Sequence, residues 1–194
     1  MTVAMANRVQ DFRGIAADSR EVGPGFLFAA LPGTKTDGAH FIGDAVRRGA
    51  VAVLGSQEAA EKARALGVDF IADDNPRRRL ALMASEFYGA QPEIVAAVTG
   101  TNGKTSVASF VRQLWTGQGF SAASLGTIGV VGPRGTLTLK HTTPDPIELH
   151  AILADLAKDG RGFRATRSSA RSDRLGGFAS ADKPVEQCGG RLAF

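Results

Sequence analysis

The 194-residue chain is poor in the residues that mark several protein classes. It has one cysteine, Cys188, so no intramolecular disulfide framework can hold it together. A single cysteine fits a reducing compartment. It has three histidines, His40, His141 and His150, too few and too scattered to suggest a histidine metal site. One tryptophan and one tyrosine leave little for a base-stacking surface, and Trp115 and Phe110 read as helix core. No apolar run approaches membrane-spanning length, and no basic stretch followed by an apolar one opens the chain. A cytoplasmic protein with no membrane partner is the expectation. The net charge of +4 is also thinly based, because residues 1–160 hold 16 basic and 16 acidic side chains. The excess lies in the last 34 residues, so no folded basic face is implied and no nucleic-acid partner is expected.

What is present is a globular composition, 43% hydrophobic and 22% charged, arranged in three stretches. Up to about residue 90, short apolar runs alternate with helical periods. Phe26–Leu31 reads as a strand closed by Pro32-Gly33. A helix is predicted over 40–48, with Phe41, Ala45 and Val46 on one face and Gly49 ending it. Residues 51–55 and 68–73 read as buried strands. A helix starting at Pro76 and ending at Gly89 carries Leu80, Met83 and Phe87 on one side. Residues 90–93 then form a hinge.

The second stretch opens with an unbroken apolar strand, Ile94–Gly100, of the kind found in parallel sheets. Val107, Phe110, Val111 and Leu114 follow at helical spacing. A further short strand is expected around 122–131. Asp145 stands as N-cap, Pro146 as N1 and Glu148 as the N3 acid of a helix striped by Leu149, Ile152, Leu153 and Leu156 and stopped by Gly160. His150 on this helix is expected at the surface or its boundary. The order strand–helix–strand–helix predicts a parallel α/β sheet. The third stretch, 161–194, contains only Leu175, Val185 and Leu192 from the large aliphatics and shows no period, so it reads as disordered.

Between the apolar strand and its helix stands Gly100-Thr101-Asn102-Gly103-Lys104-Thr105-Ser106. Glycines let backbone N–H groups turn inward around a phosphate, and the helix N-terminus adds its positive dipole. Lys104 is placed to reach the β- and γ-phosphates of ATP, and the Thr105 hydroxyl to ligate Mg2+. The spacing departs from the common P-loop, because Val98 occupies the position of its first glycine.

That variant loop resembles the nucleotide loop of the Mur ligases, the ATP-dependent amide-forming enzymes of peptidoglycan synthesis. Residues 18–54, opening on Asp18-Ser19-Arg20, look like the N-terminal UDP-sugar-binding domain of that family. The strings Leu125–Gly129 and His141–Pro146 are similar to the MurE-type members, which add the third amino acid of the peptide. The resemblance covers about residues 15–160. It implies a small N-terminal α/β domain at 1–90 that binds the UDP-substrate. A partial, parallel-sheet ATP-binding domain follows at 91–160, and the tail 161–194 lies outside the match.

By the same resemblance, Ser19 and Arg20 meet the uridine diphosphate end of the substrate, and Thr34, Lys35 and Thr36 grip the nucleotide sugar. Thr142 and Thr143 face the muramoyl peptide, and Gly100 to Ser106 hold ATP, with Lys104 catalytic and Thr105 on Mg2+. The implied reaction joins an amino acid to UDP-N-acetylmuramoyl-L-alanyl-D-glutamate through an acyl phosphate, in a monomeric enzyme. The family's next motif, a glutamate that helps to hold Mg2+, does not follow Gly160. A chain ending as this one does is therefore expected to be inactive alone, and its tail is expected to be read out of frame. Two other functions compatible with these residues are a non-catalytic nucleotide- or UDP-sugar-binding fragment and a generic P-loop ATPase.

Overall fold

The computed structural model describes residues 9–33, 36–139, 144–158 and 164–169. The chain divides into two compact units, Met1–Phe87 and Tyr88–Phe194.

The first unit is built on a four-stranded, wholly parallel sheet in the order β1 (Gly14–Ala16), β2 (Phe26–Ala30), β3 (Ala50–Gly55) and β4 (Asp69–Ala72). Sequential order with parallel pairing requires three crossovers, which carry in turn the 3-10 turn Ser19–Glu21, α1 (Ile42–Arg47) and α2 (Ala60–Ala65). Phe28, Val53, Ile42, Ala45 and Ala63 form the core between sheet and helices. The predicted helix at 40–48 is present as a 3-10 turn, Gly38–Phe41, running into α1. Its inner face is set by Ile42 and Ala45, whereas Phe41 is 44% exposed, because the 3-10 entry rotates it off the stripe. The last helix, α3 (Pro76–Tyr88), starts at a proline and buries Leu80, Ala81, Met83 and Ala84.

The second unit has a five-stranded sheet in the order β5 (Ile94–Thr99), β9 (Arg164–Ser169), β6 (Ala122–Gly126), β7 (Gly129–Gly132) and β8 (Gly135–Leu137). The pairings β5–β9 and β9–β6 are parallel, but β6–β7 and β7–β8 are antiparallel. The sheet is therefore mixed, and the single strand expected at 122–131 is two strands of a meander. The glycine-rich string reverses direction at Thr127-Ile128 and again at Pro133-Arg134.

Alternation along the strands sorts the two helices of this unit onto opposite faces. Ala123, Leu125 and Ala165 point to one face and pack with Leu149, Leu153 and Leu156 of α5 (Pro146–Ala157). On the other face the buried Thr166 hydroxyl donates to the Ala108 carbonyl of α4 (Lys104–Gly117) at 3.0 Å. The α4 side is lined by small and polar groups, Ala108, Ser124 and Thr166, all buried. Three of the four apolar residues at helical spacing on α4 thus point outward: Val107, Phe110 and Leu114 are 41%, 61% and 65% exposed, and Val111 is half-buried. Close approach of helix to sheet is achieved here through Ala108 rather than through bulky side chains.

Three further expectations change. His150 is fully buried, not at the surface, and its Nδ1 lies 2.8 Å from Gln91 Nε2. The position belongs to the inner face of α5 because Leu149 and Leu153 flank it there. Phe110 is exposed, not core, and Trp115 lies half-buried with the Arg164 guanidinium 5.8 Å from its ring and 3.4 Å from that of Phe120. Residues 164–169, within the stretch read as lacking regular structure, form β9. Its polar string suits the slot because neighbours on both sides satisfy its backbone, and Ala165 and Thr166 are buried.

Candidate functional site

The phosphate loop lies between β5 and α4. β5 delivers the chain to Gly100, and Gly103 adopts a left-handed conformation, φ 74°, at the N-cap of α4. A side chain in that conformation is strained, which explains the glycine. No side chain caps the helix, so its leading N–H groups stay free to meet an anion at the positive end of the dipole. Thr101, Asn102, Gly103 and Ser106 are exposed around this end, and Lys104 and Thr105 are half-buried.

Lys104 Nζ donates to the carbonyl oxygens of Gly100 at 2.6 Å and Thr101 at 3.1 Å. The ammonium is thus folded over the loop, within one turn of the helix N-terminus. Release of those two bonds frees three donors on a flexible stem for phosphate oxygens. The Thr105 hydroxyl lies 3.3 Å from the Thr127 hydroxyl in the turn between β6 and β7. A small cavity beside it is lined by Thr105, Ala108, Ser124, Gly126 and Ile128 among others. Sequence reasoning had no role for Thr127. Its signal is the string Gly126-Thr127-Ile128-Gly129, a tight turn with a hydroxyl at its tip.

In the first unit, Asp18 caps the short 3-10 helix Ser19–Glu21 by accepting from Arg20 N at 2.9 Å. The Arg20 guanidinium binds the same carboxylate through Nε and Nη2, which holds the Asp18 pKa down at about 2. Arg20 is therefore committed to Asp18, while its side chain stays 81% exposed. Ser19 is buried, and hydrogen bonding to it is the largest influence that lowers the pKa of Asp44 on α1. The ion pairs of Asp44 with Arg47 and Arg48, both at 3.2 Å, act in the same direction. Asp44 is a second polar residue that the sequence alone did not single out. Thr36 is exposed, and its carbonyl closes tightly on Gly33. Thr34, Lys35, Thr142 and Thr143 lie outside the described residues. The structure brings Gly100 to Ser106 together in one loop and places Ser19, Arg20 and Thr36 in the other unit. Among the described residues, no group of three or more His, Cys, Asp or Glu side chains converges as a metal site.

Comparison with known proteins adds the family context. Residues 11–88 match the Mur ligase family, catalytic domain, and residues 98–177 match the Mur ligase middle domain. A UDP-N-acetylmuramoyl-L-alanyl-D-glutamate--2,6-diaminopimelate ligase of Brucella melitensis is 51% identical over 159 residues, which is 82% of this chain and 32% of that protein. The same-named ligase of Bradyrhizobium diazoefficiens is 54% identical over 147 residues, 76% of this chain and 30% of that protein. A solved structure of a ligase with this name superimposes with a TM-score of 0.71 at 31% identity, covering 88% of this chain and 34% of that one. A MurF ligase from Thermotoga maritima, solved in complex with ADP, shares the fold with a TM-score of 0.54 at 21% identity, over 93% of this chain and 37% of that one. The chain spans about a third of the length of the curated relatives it matches.

Proposed function

Because this chain belongs to the Mur ligase family, we propose that it carries the UDP-substrate-binding and nucleotide-binding elements of an ATP-dependent amide ligase of peptidoglycan precursor synthesis. The substrate in this reading is UDP-N-acetylmuramoyl-L-alanyl-D-glutamate. The incoming amine belongs to an amino acid, 2,6-diaminopimelate in the names of the relatives. The observation that carries the reading is the uncapped α4 N-terminus with Lys104 folded over its glycine loop.

The chemistry needs two anions, the substrate carboxylate and the ATP γ-phosphate, to meet. A carboxylate oxygen attacks the γ-phosphorus and ADP leaves; the amine then attacks the acyl phosphate carbon, loses a proton and expels phosphate. Lys104 exchanges its carbonyl contacts for phosphate oxygens and lowers the repulsion between the two anions. The free N–H groups of α4 and the loop orient the triphosphate. Mg2+ would add charge neutralisation between the phosphates when bound. Thr105 would hold that ion, since a hydroxyl is a hard oxygen donor of the kind Mg2+ takes. Ser19, Thr36, Thr34 and Lys35 are proposed to hold the nucleotide sugar, and Thr142 and Thr143 the muramoyl peptide. Domains at 1–90 and 91–160, a monomeric state and a cytoplasmic location belong to the same proposal.

Calorimetric titration with ADP and Mg2+, and separately with the UDP-muramoyl dipeptide, tests it. Wild-type chain should bind both. Lys104→Ala should weaken nucleotide binding about 10- to 150-fold, the equivalent of one charge-assisted hydrogen-bonding group worth about 1.5–3 kcal/mol. Nucleotide binding without UDP-sugar binding would leave only a P-loop nucleotide site. A phosphate-release assay with all three substrates decides between ligase and binding fragment, and the expected result for this chain alone is binding without turnover.

A further inference from the structure

The contact between the Thr105 and Thr127 hydroxyls has a chemical asymmetry. When a threonine hydroxyl ligates a cation it turns a lone pair to the ion, so its proton must point away and needs an acceptor. Thr127 Oγ1, 3.3 Å from Thr105 Oγ1, is placed to take that proton. It sits at the tip of the β6–β7 turn, between Gly126 and Gly129, which pair with each other across the antiparallel ladder. Gly129 in turn lies hard against β8, where an added Cβ would meet the Leu137 carbonyl oxygen at 2.3 Å. The turn is thereby held from below, and Thr127 is presented to the first turn of α4 by a fixed frame. Thr127 is exposed, so its hydroxyl is not needed to fill the core.

We infer that Thr127 is a positioning residue of the nucleotide site: its hydroxyl accepts the Thr105 proton and aims the Thr105 lone pair at a divalent cation bound to the phosphates. The inference rests on the reading of residues 100–106 as the nucleotide loop. Thr127 acts in this arrangement through Thr105. Partners that orient a metal ligand typically alter affinity on the order of 10- to 100-fold when removed.

ADP affinity measured by calorimetry on the full chain, with Mg2+ and again with EDTA, tests it without any turnover. Thr127→Val keeps the β-branched shape and removes the acceptor. It should reduce the Mg2+-dependent gain in ADP affinity on the order of 10-fold or more and leave affinity in EDTA unchanged. Thr127→Ser should restore the gain. Thr105→Val should abolish the gain outright. Urea denaturation of Thr127→Val should match wild type, which separates orientation from folding. If Thr105→Val removes the Mg2+ effect and Thr127→Val does not, the positioning role is overturned and the nucleotide site stands. If wild type shows no Mg2+-dependent ADP binding, or Thr105→Val leaves it intact, the site reading itself fails and the inference falls with it.

Discussion

Two glycines in the same hairpin separate backbone strain from steric collision. Gly129 and Gly135 have nearly equal positive φ angles, 105° and 106°. An alanine at either must adopt a conformation that side chains avoid, at about 1–2 kcal/mol. Their surroundings differ. A Cβ on Gly135 meets nothing within 4 Å, whereas one on Gly129 meets the Leu137 oxygen at 2.3 Å. Ordinary contact begins at 3.4 Å, so β8 would have to move by roughly an ångström. That displacement loosens the pairs Val130–Leu137, Val131–Thr136 and Gly132–Gly135. At about 1 kcal/mol per weakened hydrogen bond, Gly129→Ala should cost about 1–3 kcal/mol more than Gly135→Ala. Urea denaturation followed by the emission of the only tryptophan, Trp115, reports this unit selectively. Equal losses for the two variants would refute the steric argument. The Gly129 variant should also blunt the Mg2+ dependence of ADP binding, since the same turn carries Thr127.

Other outcomes follow from the described contacts. The Asp18 carboxyl, held at about 2 by Arg20, contributes stability that is complete above its ordinary value of 3.8 and lost as pH falls through about 2. With its side chain 37% exposed, solvent screening reduces this to about 0.5 kcal/mol, and Arg20→Ala should remove that acid sensitivity in pH-dependent denaturation followed by circular dichroism. His150→Ala, which empties a fully buried position and removes the Gln91 contact, should cost about 2–4 kcal/mol by Trp115-monitored denaturation. His40→Ala, at an exposed site, should stay within about 0.5 kcal/mol by circular dichroism.

Most elements and the phosphate loop could be read from local pattern, because local rules govern them. Pro76 and Pro146 open helices as their fixed φ allows, and Asp145 caps α5 by accepting from Glu148 N at 2.8 Å. The misreadings share a different cause. The periodicity of Val107, Phe110 and Leu114 identifies a helix but not the face it buries, and the fold chose Ala108 because Thr166 and Ser124 lie beneath it. β9 carries no local apolar period because its two neighbours in the sheet, remote in sequence, supply its pairing. Thr127 and Asp44 acquire partners only through tertiary placement, opposite Thr105 and Ser19. Single-residue patterns carry no trace of either pairing.

The position of β9 sets an order in time. Among the described residues it is the last strand in sequence, yet it lies between β5 and β6, pairing Arg164 with Ile94 on one side and Ala122 on the other. As the chain emerges from the ribosome, β5 and the β6–β7–β8 meander have no ladder joining them until residues 164–169 arrive. The phosphate loop hangs from β5, and Thr127 from β6. Formation of the nucleotide site is therefore gated by β9, and the sheet should close late and slowly, as folds dominated by distant pairings do.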